Sequence, residues 1–145
     1  PTRRSSDLDQ QLLTQIAMED EAPAVREEAV KLIENPQTLM AIASSDQHPA
    51  VRAAAVDKIR DQDFLEKMIS DESEDVRVAV AWRLEDQALL EKMALEDTSD
   101  WVRRTAVNHL ESLAVLEKIA DSDDDPEVRN EATKRIRFLT EPQGD

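Results

Sequence analysis

The sequence of 145 residues contains no cysteine, which excludes disulfide bonds, thiolate zinc sites and a cysteine nucleophile. A chain without cysteine suits a reducing compartment, so we expect a cytoplasmic protein. The single glycine, Gly144, lies close to the C-terminus. Tight hairpin turns and phosphate-binding loops normally need glycine, so a sheet protein and the glycine-rich nucleotide motifs are both disfavoured.

Long apolar runs and positive charge are also scarce. No stretch of about 18 apolar residues occurs, so we expect no membrane span. Lys and Arg number 18 against 33 Asp and Glu, which gives a formal net charge of −15. Such a chain repels a nucleic-acid backbone on average, although a local basic strip remains compatible with it. Nucleic acid is therefore disfavoured as a partner.

What the sequence does contain is a repeat with steps of 25 or 26 residues. The dipeptide Val-Arg occurs five times, at Val25-Arg26, Val51-Arg52, Val76-Arg77, Val102-Arg103 and Val128-Arg129. An aspartate stands six residues before each arginine, a small apolar residue three after it, and Ile or Leu seven after it. Five matches in four columns at one period indicate a repeat architecture.

The predicted repeats span residues 10–36, 37–62, 63–87, 88–113 and 114–139. Residues 1–9 are expected to be a linker or the remnant of a preceding repeat, since the chain begins with Pro1 and not Met, and residues 140–145 a frayed tail.

Each repeat is predicted to be a hairpin of two helices. In the second and longer helix, Val51, Ala55 and Ile59 recur on one face. The first helix has about nine residues, either fully α-helical or partly 3₁₀, and is marginal alone in water. Each hairpin therefore needs neighbours to cover its apolar face. The predicted fold is all-α, a right-handed α/α superhelix, or solenoid, of five short helical hairpins.

The pattern D-x4-V-R-x2-A-x3-[IL] resembles the HEAT-like repeat superfamily, in particular its short bacterial units and, in part, the leucine-rich repeat variant. The resemblance covers residues 10–139. It implies a scaffold or adaptor that binds another protein. Because a few relatives are chromophore lyases or DNA glycosylases, the alternative is a lyase-type maturation factor or a nucleic-acid-acting enzyme. The variant's iron–sulfur cluster would need cysteines, so no cofactor is expected.

The repeated aspartates and arginines are interpreted as a structural clamp between repeats. Every arginine has an aspartate at constant spacing, and a buried charge needs such a partner, so an anion-binding ladder is the weaker interpretation. The resemblance also implies that these residues tie adjacent repeats together. The clamp residues are Asp20, Arg26, Asp46, Arg52, Asp71, Arg77, Asp97, Arg103, Asp123 and Arg129.

Two tryptophans are the leading candidates for partner binding. Trp82 occupies a column that otherwise holds lysine, aspartate or asparagine, and Trp101 one that otherwise holds alanine or an acidic residue. Both columns look solvated, so we expect both indoles to be partly exposed and to border one patch. Exposed tryptophan is enriched at binding hot spots. The alternative is that each indole only covers a groove between repeats.

A column of basic residues is the second candidate surface. It begins with Leu32 and continues with Lys58, Arg83, His109 and Arg135, and Arg104 lies nearby. One interpretation is a basic track that steers an acidic partner segment. The other is an ordinary solvated helix face with i,i+4 ion pairs.

No catalytic or metal-binding residues are predicted, and we do not expect an enzyme. The acidic run that begins at Asp121 has Pro126 where a calcium loop needs glycine, and Ala132 where it needs glutamate. His48 and Asp125 are better interpreted as helix N-caps. No serine has the context of a nucleophile elbow.

The last helix carries Phe138 and Leu139 near its end. Either they fold back over the final repeat, or a flanking domain or a second copy of the chain covers them at the end of the solenoid.

We predict that Arg77→Ala lowers the free energy of unfolding by about 1–3 kcal/mol, because Asp71 or Asp97 then loses its partner. Denaturant melting measures the change. A curve identical to that of the parent would remove the structural assignment.

Overall fold

A computed structural model describes residues 3–142 and 144, with the side chain of Arg3 left out, and this part of the chain holds ten helices and no strand. The all-α prediction is confirmed. The helices are α1 Arg3–Glu19, α2 Pro23–Leu32, α3 Pro36–Ser45, α4 Pro49–Val56, α5 Gln62–Met68, α6 Glu74–Arg83, α7 Gln87–Glu96, α8 Asp100–Val107, α9 Leu113–Ser122 and α10 Pro126–Thr140.

The chain forms two compact units, Pro1–Arg83 with α1–α6 and Leu84–Asp145 with α7–α10. Within each unit, consecutive helices pack as hairpins, such as α1 with α2 and α9 with α10. Second helices of successive repeats also pack together, α2 on α4 and α4 on α6 in the first unit, and α8 on α10 in the second. Helices α3, α5, α7 and α9 each begin one residue before the predicted repeat boundary.

The start of α1 differs from the prediction. Helix α1 begins at Arg3, so residues 3–9 are helical, although they were expected to be a linker or a remnant. Leu8 and the glutamines that follow it favour helix, and no proline or glycine interrupts the segment. Residues 1 and 2 lie outside the described residues, as do 143 and 145 of the predicted tail.

Polar side chains and prolines set the helix starts. Asn35, Asp61, Asp86 and Ser112 cap the N-termini of α3, α5, α7 and α9, with each side chain accepting a backbone N–H three residues on. The predicted caps at His48 and Asp125 are confirmed. Pro23, Pro49 and Pro126 open α2, α4 and α10, at a position where the missing N–H costs little. Such a cap contributes roughly 1 kcal/mol, which matters for helices this short.

The second helix is not generally the longer one, contrary to the prediction. Helix α4 has 8 residues against 10 in α3, and α8 has 8 against 10 in α7. After α4 the backbone changes to hydrogen bonds that span three residues. The N–H groups of Lys58 and Ile59 donate to the carbonyls of Ala55 and Val56. Ile59 is still only 3 % exposed. The apolar periodicity therefore runs past the end of the α-helix into a 3₁₀-type turn.

Arginine and aspartate side chains join successive repeats at three described junctions. Nε and Nη2 of Arg26 donate to the two carboxylate oxygens of Asp46 at 2.9 and 3.0 Å. The same paired bonds join Arg52 to Asp71 at 3.1 and 3.0 Å. They also join Arg103 to Asp123 at 2.9 and 3.0 Å. In each case the aspartate belongs to the following repeat.

The third arginine nitrogen binds within its own repeat. Nη1 of Arg26 donates to the backbone carbonyl of Asp20 at 2.8 Å, and Nη1 of Arg77 to that of Asp71 at 2.8 Å. The regular spacing of aspartate and arginine inside a repeat therefore reflects a bond to the main chain. The side-chain partner comes from the next repeat.

The clamp carboxylates also organise the loop that contains them. Asp46 accepts the backbone N–H of His48 at 2.8 Å, and Asp123 that of Asp125 at 2.9 Å. Burial acts to raise the pKa of Asp46, but the bonds from Arg26 and the His48 N–H outweigh it, so the pKa lies below its ordinary value. The pKa of Asp123 is lowered against the same burial effect by Arg103 and the Asp125 N–H.

We expect the stability due to Asp46 to be lost on acidification. A lowered pKa in the folded state stabilises the fold above the unfolded value, near 3.8, and this contribution disappears as the pH falls through the folded pKa. Asp46→Asn should therefore melt several degrees below the parent at pH 7, on the order of 5 °C, and the difference should shrink below about pH 4. Thermal melts across this pH range measure it.

The control is Asp121→Asn, which removes an exposed carboxylate of the acidic run that begins at Asp121. Its melting temperature should stay close to that of the parent at every pH. A gap between Asp46→Asn and the parent that stays constant down to pH 2 would contradict the role given to the carboxylate.

Candidate partner-binding surface

Both tryptophan side chains are partly exposed, as predicted from the residues that share their columns. Trp82 lies in the last turn of α6 and is 59 % exposed. Trp101 lies in the first turn of α8 and is 41 % exposed. The two residues belong to different compact units. That they border one patch stays a prediction.

Trp101 has a cation as its neighbour on the helix surface. Arg104 follows it by three residues on α8 and is half-buried. Side chains three apart lie on the same face of a helix. Asp100 and Thr105 flank this position, and the Thr105 hydroxyl donates to the Trp101 carbonyl at 2.8 Å. The second unit therefore places the indole of Trp101 and the positive charge of Arg104 on the same face of α8.

The basic column has a role that the sequence interpretation missed. Lys58 donates to the carbonyl of Lys31 at 2.7 Å and also to that of Ile33, both at the end of α2. Arg83 donates to the carbonyl of Asp57, at the end of α4. Arg135 donates to the carbonyl of Leu110, just after α8, at 2.9 Å. Each cation binds the C-terminal end of the preceding second helix.

These bonds satisfy carbonyl groups that the end of a helix leaves without an intrahelical partner, and a cation there also complements the helix dipole. They therefore hold the basic groups against the backbone. His109 differs, because its Nδ1 lies 2.9 Å from the carbonyl of Thr105 in its own helix. Neither a continuous basic track nor a face of i,i+4 pairs describes Lys58, Arg83 and Arg135.

A second missed feature is a glutamine near the start of a first helix. Gln10 donates to the carbonyl of Leu32 and accepts the N–H of Glu34, both at 3.0 Å. Gln87 does the same with His109 and Glu111, also at 3.0 Å. The sequence signal was the recurrence of glutamine at positions 10, 62 and 87. This amide closes each of these hairpins.

Two open grooves lie beside clamp pairs. In the second unit, a groove of about 630 Å³ is lined by Leu95, Thr98, Lys118 and the pair Arg103–Asp123 among others. In the first unit, one of about 320 Å³ lies beside Arg26–Asp46. All three guanidinium nitrogens of Arg26 and Arg103 already donate to protein acceptors. Neither groove therefore offers an arginine for binding an anion.

Within the described residues, no three His, Cys, Asp or Glu side chains lie close enough together to hold a metal ion. The Asp125 side chain caps α10, accepting the N–H groups of Glu127 and Val128 at 2.8 and 3.1 Å. Desolvation by its surroundings raises the pKa of the Asp57 carboxyl above its ordinary value, although the nearby positive charge of Arg83 acts to lower it.

No helix in the described part of the chain is both long and apolar enough to cross a bilayer.

No family model and no curated protein matches this chain.

We predict that the two indoles differ in access to a dissolved quencher. The chain has two tryptophans, so Trp101→Phe leaves Trp82 as the emitter and Trp82→Phe leaves Trp101. Acrylamide should quench the Trp101→Phe protein more strongly, because Trp82 is the more exposed indole. Equal quenching in guanidinium, where both side chains are fully exposed, serves as the control. Weak quenching of both native variants would contradict the exposed surface.

Proposed function

We propose that the chain is a non-catalytic module for binding another protein, built as a right-handed solenoid of five helical hairpins. The hairpin pairs, the packing of successive second helices within each unit and the repeated clamp support this architecture. Short hairpins that cover one another's apolar faces are typical of helical-repeat proteins. The resemblance of the repeat pattern to HEAT-like proteins agrees with it.

The observation that carries the proposal is the exposure of two tryptophans in columns that otherwise hold polar residues or alanine. Leaving about half of an indole in water forfeits part of what its complete burial would contribute to stability. Tryptophan and arginine are the residues most enriched in binding hot spots, and Trp101 with Arg104 supplies both on one helix face. A partner segment with an apolar side chain next to a carboxylate would match this surface.

The basic column no longer supports the nucleic-acid alternative. Lys58, Arg83 and Arg135 donate to backbone carbonyls, and the net charge of −15 opposes a phosphate backbone. We therefore expect no salt-dependent binding of duplex DNA at low ionic strength. A shift in DNA mobility that weakens with added salt would favour the alternative.

We expect the double variant Trp82→Ala, Trp101→Ala to lose its partner. Truncating one hot-spot residue costs at least about 2 kcal/mol, or roughly 30-fold in affinity, so capture should fall by at least that factor. Immobilised parent, single variants and double variant are compared for capture from native lysate, followed by titration of the isolated partner.

The matched control is Leu113→Ala, since Leu113 is 40 % exposed, about as much as Trp101. Circular dichroism checks that every variant keeps its helices. Unchanged capture by the double variant would remove the tryptophan surface as the binding site.

A further inference from the structure

The two ends of the repeat series carry complementary halves of the clamp. Asp20 is the clamp aspartate of the first repeat. Within the described residues, its carboxylate accepts the N–H of Ala22 at 2.9 Å and no arginine donates to it. Arg129 is the arginine of the last repeat. Its Nη1 donates to the carbonyls of Asp123 and Asp124, while its Nε and Nη2 have no acceptor among the described residues.

The N-terminal end also exposes apolar side chains. Val25 is 44 % exposed, whereas Val51 and Val128 in the same column are fully buried. Val51 and Val128 lie on helices that pack against an earlier second helix, α4 on α2 and α10 on α8, whereas α2 is the first second helix among the described residues. Leu12 and Leu32 are 57 % and 60 % exposed. We call Asp20, Val25 and Leu32 the N-terminal end face.

The C-terminal end is the counterpart. Phe138 and Leu139 are 55 % and 36 % exposed, and the guanidinium of Arg135 lies over the Phe138 ring, 5.1 Å from its centroid. Ile136 is only partly buried, whereas Ile33 and Leu110 in the same column are fully buried. We call Arg129, Ile136, Phe138 and Leu139 the C-terminal end face.

We propose that the C-terminal end face of one copy binds the N-terminal end face of a second copy, with Asp20 accepting from Nε and Nη2 of Arg129. This joint reproduces the register of the described junctions. With Asp20 placed on Arg129 as Asp46 lies on Arg26, Val25 takes the buried position of Val51. The interface thus continues one that the chain already forms internally.

The same register explains why the first and the last repeat each differ from the common repeat pattern. Lys58 donates to backbone carbonyls at the end of α2. In the first repeat, Leu32 occupies the position that corresponds to Lys58. Helix α10 has 15 residues and continues past Ile136 to Thr140, so its carbonyls at that level need no cation. Leu32 then meets Phe138 and Leu139. An apolar contact takes the place of the lysine bonds, and apolar burial adds stability.

Charge sets the conditions for this association. Each copy has a net charge of −15, so two copies repel each other at low ionic strength. Salt near 0.15 M screens that repulsion beyond about 8 Å and leaves the short-range pair intact. A head-to-tail contact between two copies leaves one end face free on each of them, so further copies can add, in an open series or a closed ring. The assembly does not involve Trp82 or Trp101.

The test is sedimentation velocity of the whole chain at about 0.15 M salt, from roughly 10 µM to 1 mM protein, the range expected for a small interface. The parent should rise from 16.4 kDa to twice that mass or more. Arg129→Asp alone and Asp20→Arg alone should each stay monomeric, because like charges then face each other at the joint.

Mixing the two variants provides the decisive arm. Joints between the two different variants pair one arginine with one aspartate, whereas joints between identical variants do not. The mixture of Arg129→Asp and Asp20→Arg should therefore assemble in alternation and recover the mass of the parent. Recovery also shows that neither substitution has unfolded the chain. A parent that remains monomeric overturns the proposal. So does a dimer that forms without further growth and is unaffected by either substitution, since it would use another face.

Discussion

A guanidinium group that serves two repeats at once determines how the described junctions are built. Two nitrogens of Arg52 bind the carboxylate of Asp71 in the next repeat, and the third binds the carbonyl of Asp46 in its own. The carboxylate in turn caps the N–H of Ser73. One planar side chain thereby fixes a helix and two loops. Lysine, as a single point charge, has no geometry for this arrangement.

Most of the cationic side chains that the sequence suggested as binding residues donate to acceptors within the protein. The clamp arginines and the cations at helix ends hold backbone carbonyls and neighbouring carboxylates, and acidic side chains dominate the rest of the surface. What distinguishes one repeat from another is then mainly apolar. The exposed indoles and the end faces are the places where the repeats depart from their common pattern, and both proposals rest on those departures.

The helical content and the hairpin boundaries could be predicted because they follow from local spacing, capping residues and proline. The partners of the clamp could not, since an arginine lies six residues from one aspartate and 20 from the next, and only packing decides between them. The role of Lys58 was missed for a similar reason. Its acceptors are backbone carbonyls, which leave no mark in the sequence. The short second helices were missed because Ile59 keeps the apolar period after the α-helical bonds have ended.

The bond from each described clamp arginine to the aspartate of the following repeat has a consequence for how such a chain changes during evolution. A whole repeat brings one aspartate that accepts from its predecessor and one arginine that donates to its successor, as Asp46 and Arg52 do. Duplicating or deleting that unit leaves the same two groups facing each other across the new joint. Gain or loss of a whole repeat therefore leaves the chemistry of the clamp unchanged, whatever the number of repeats.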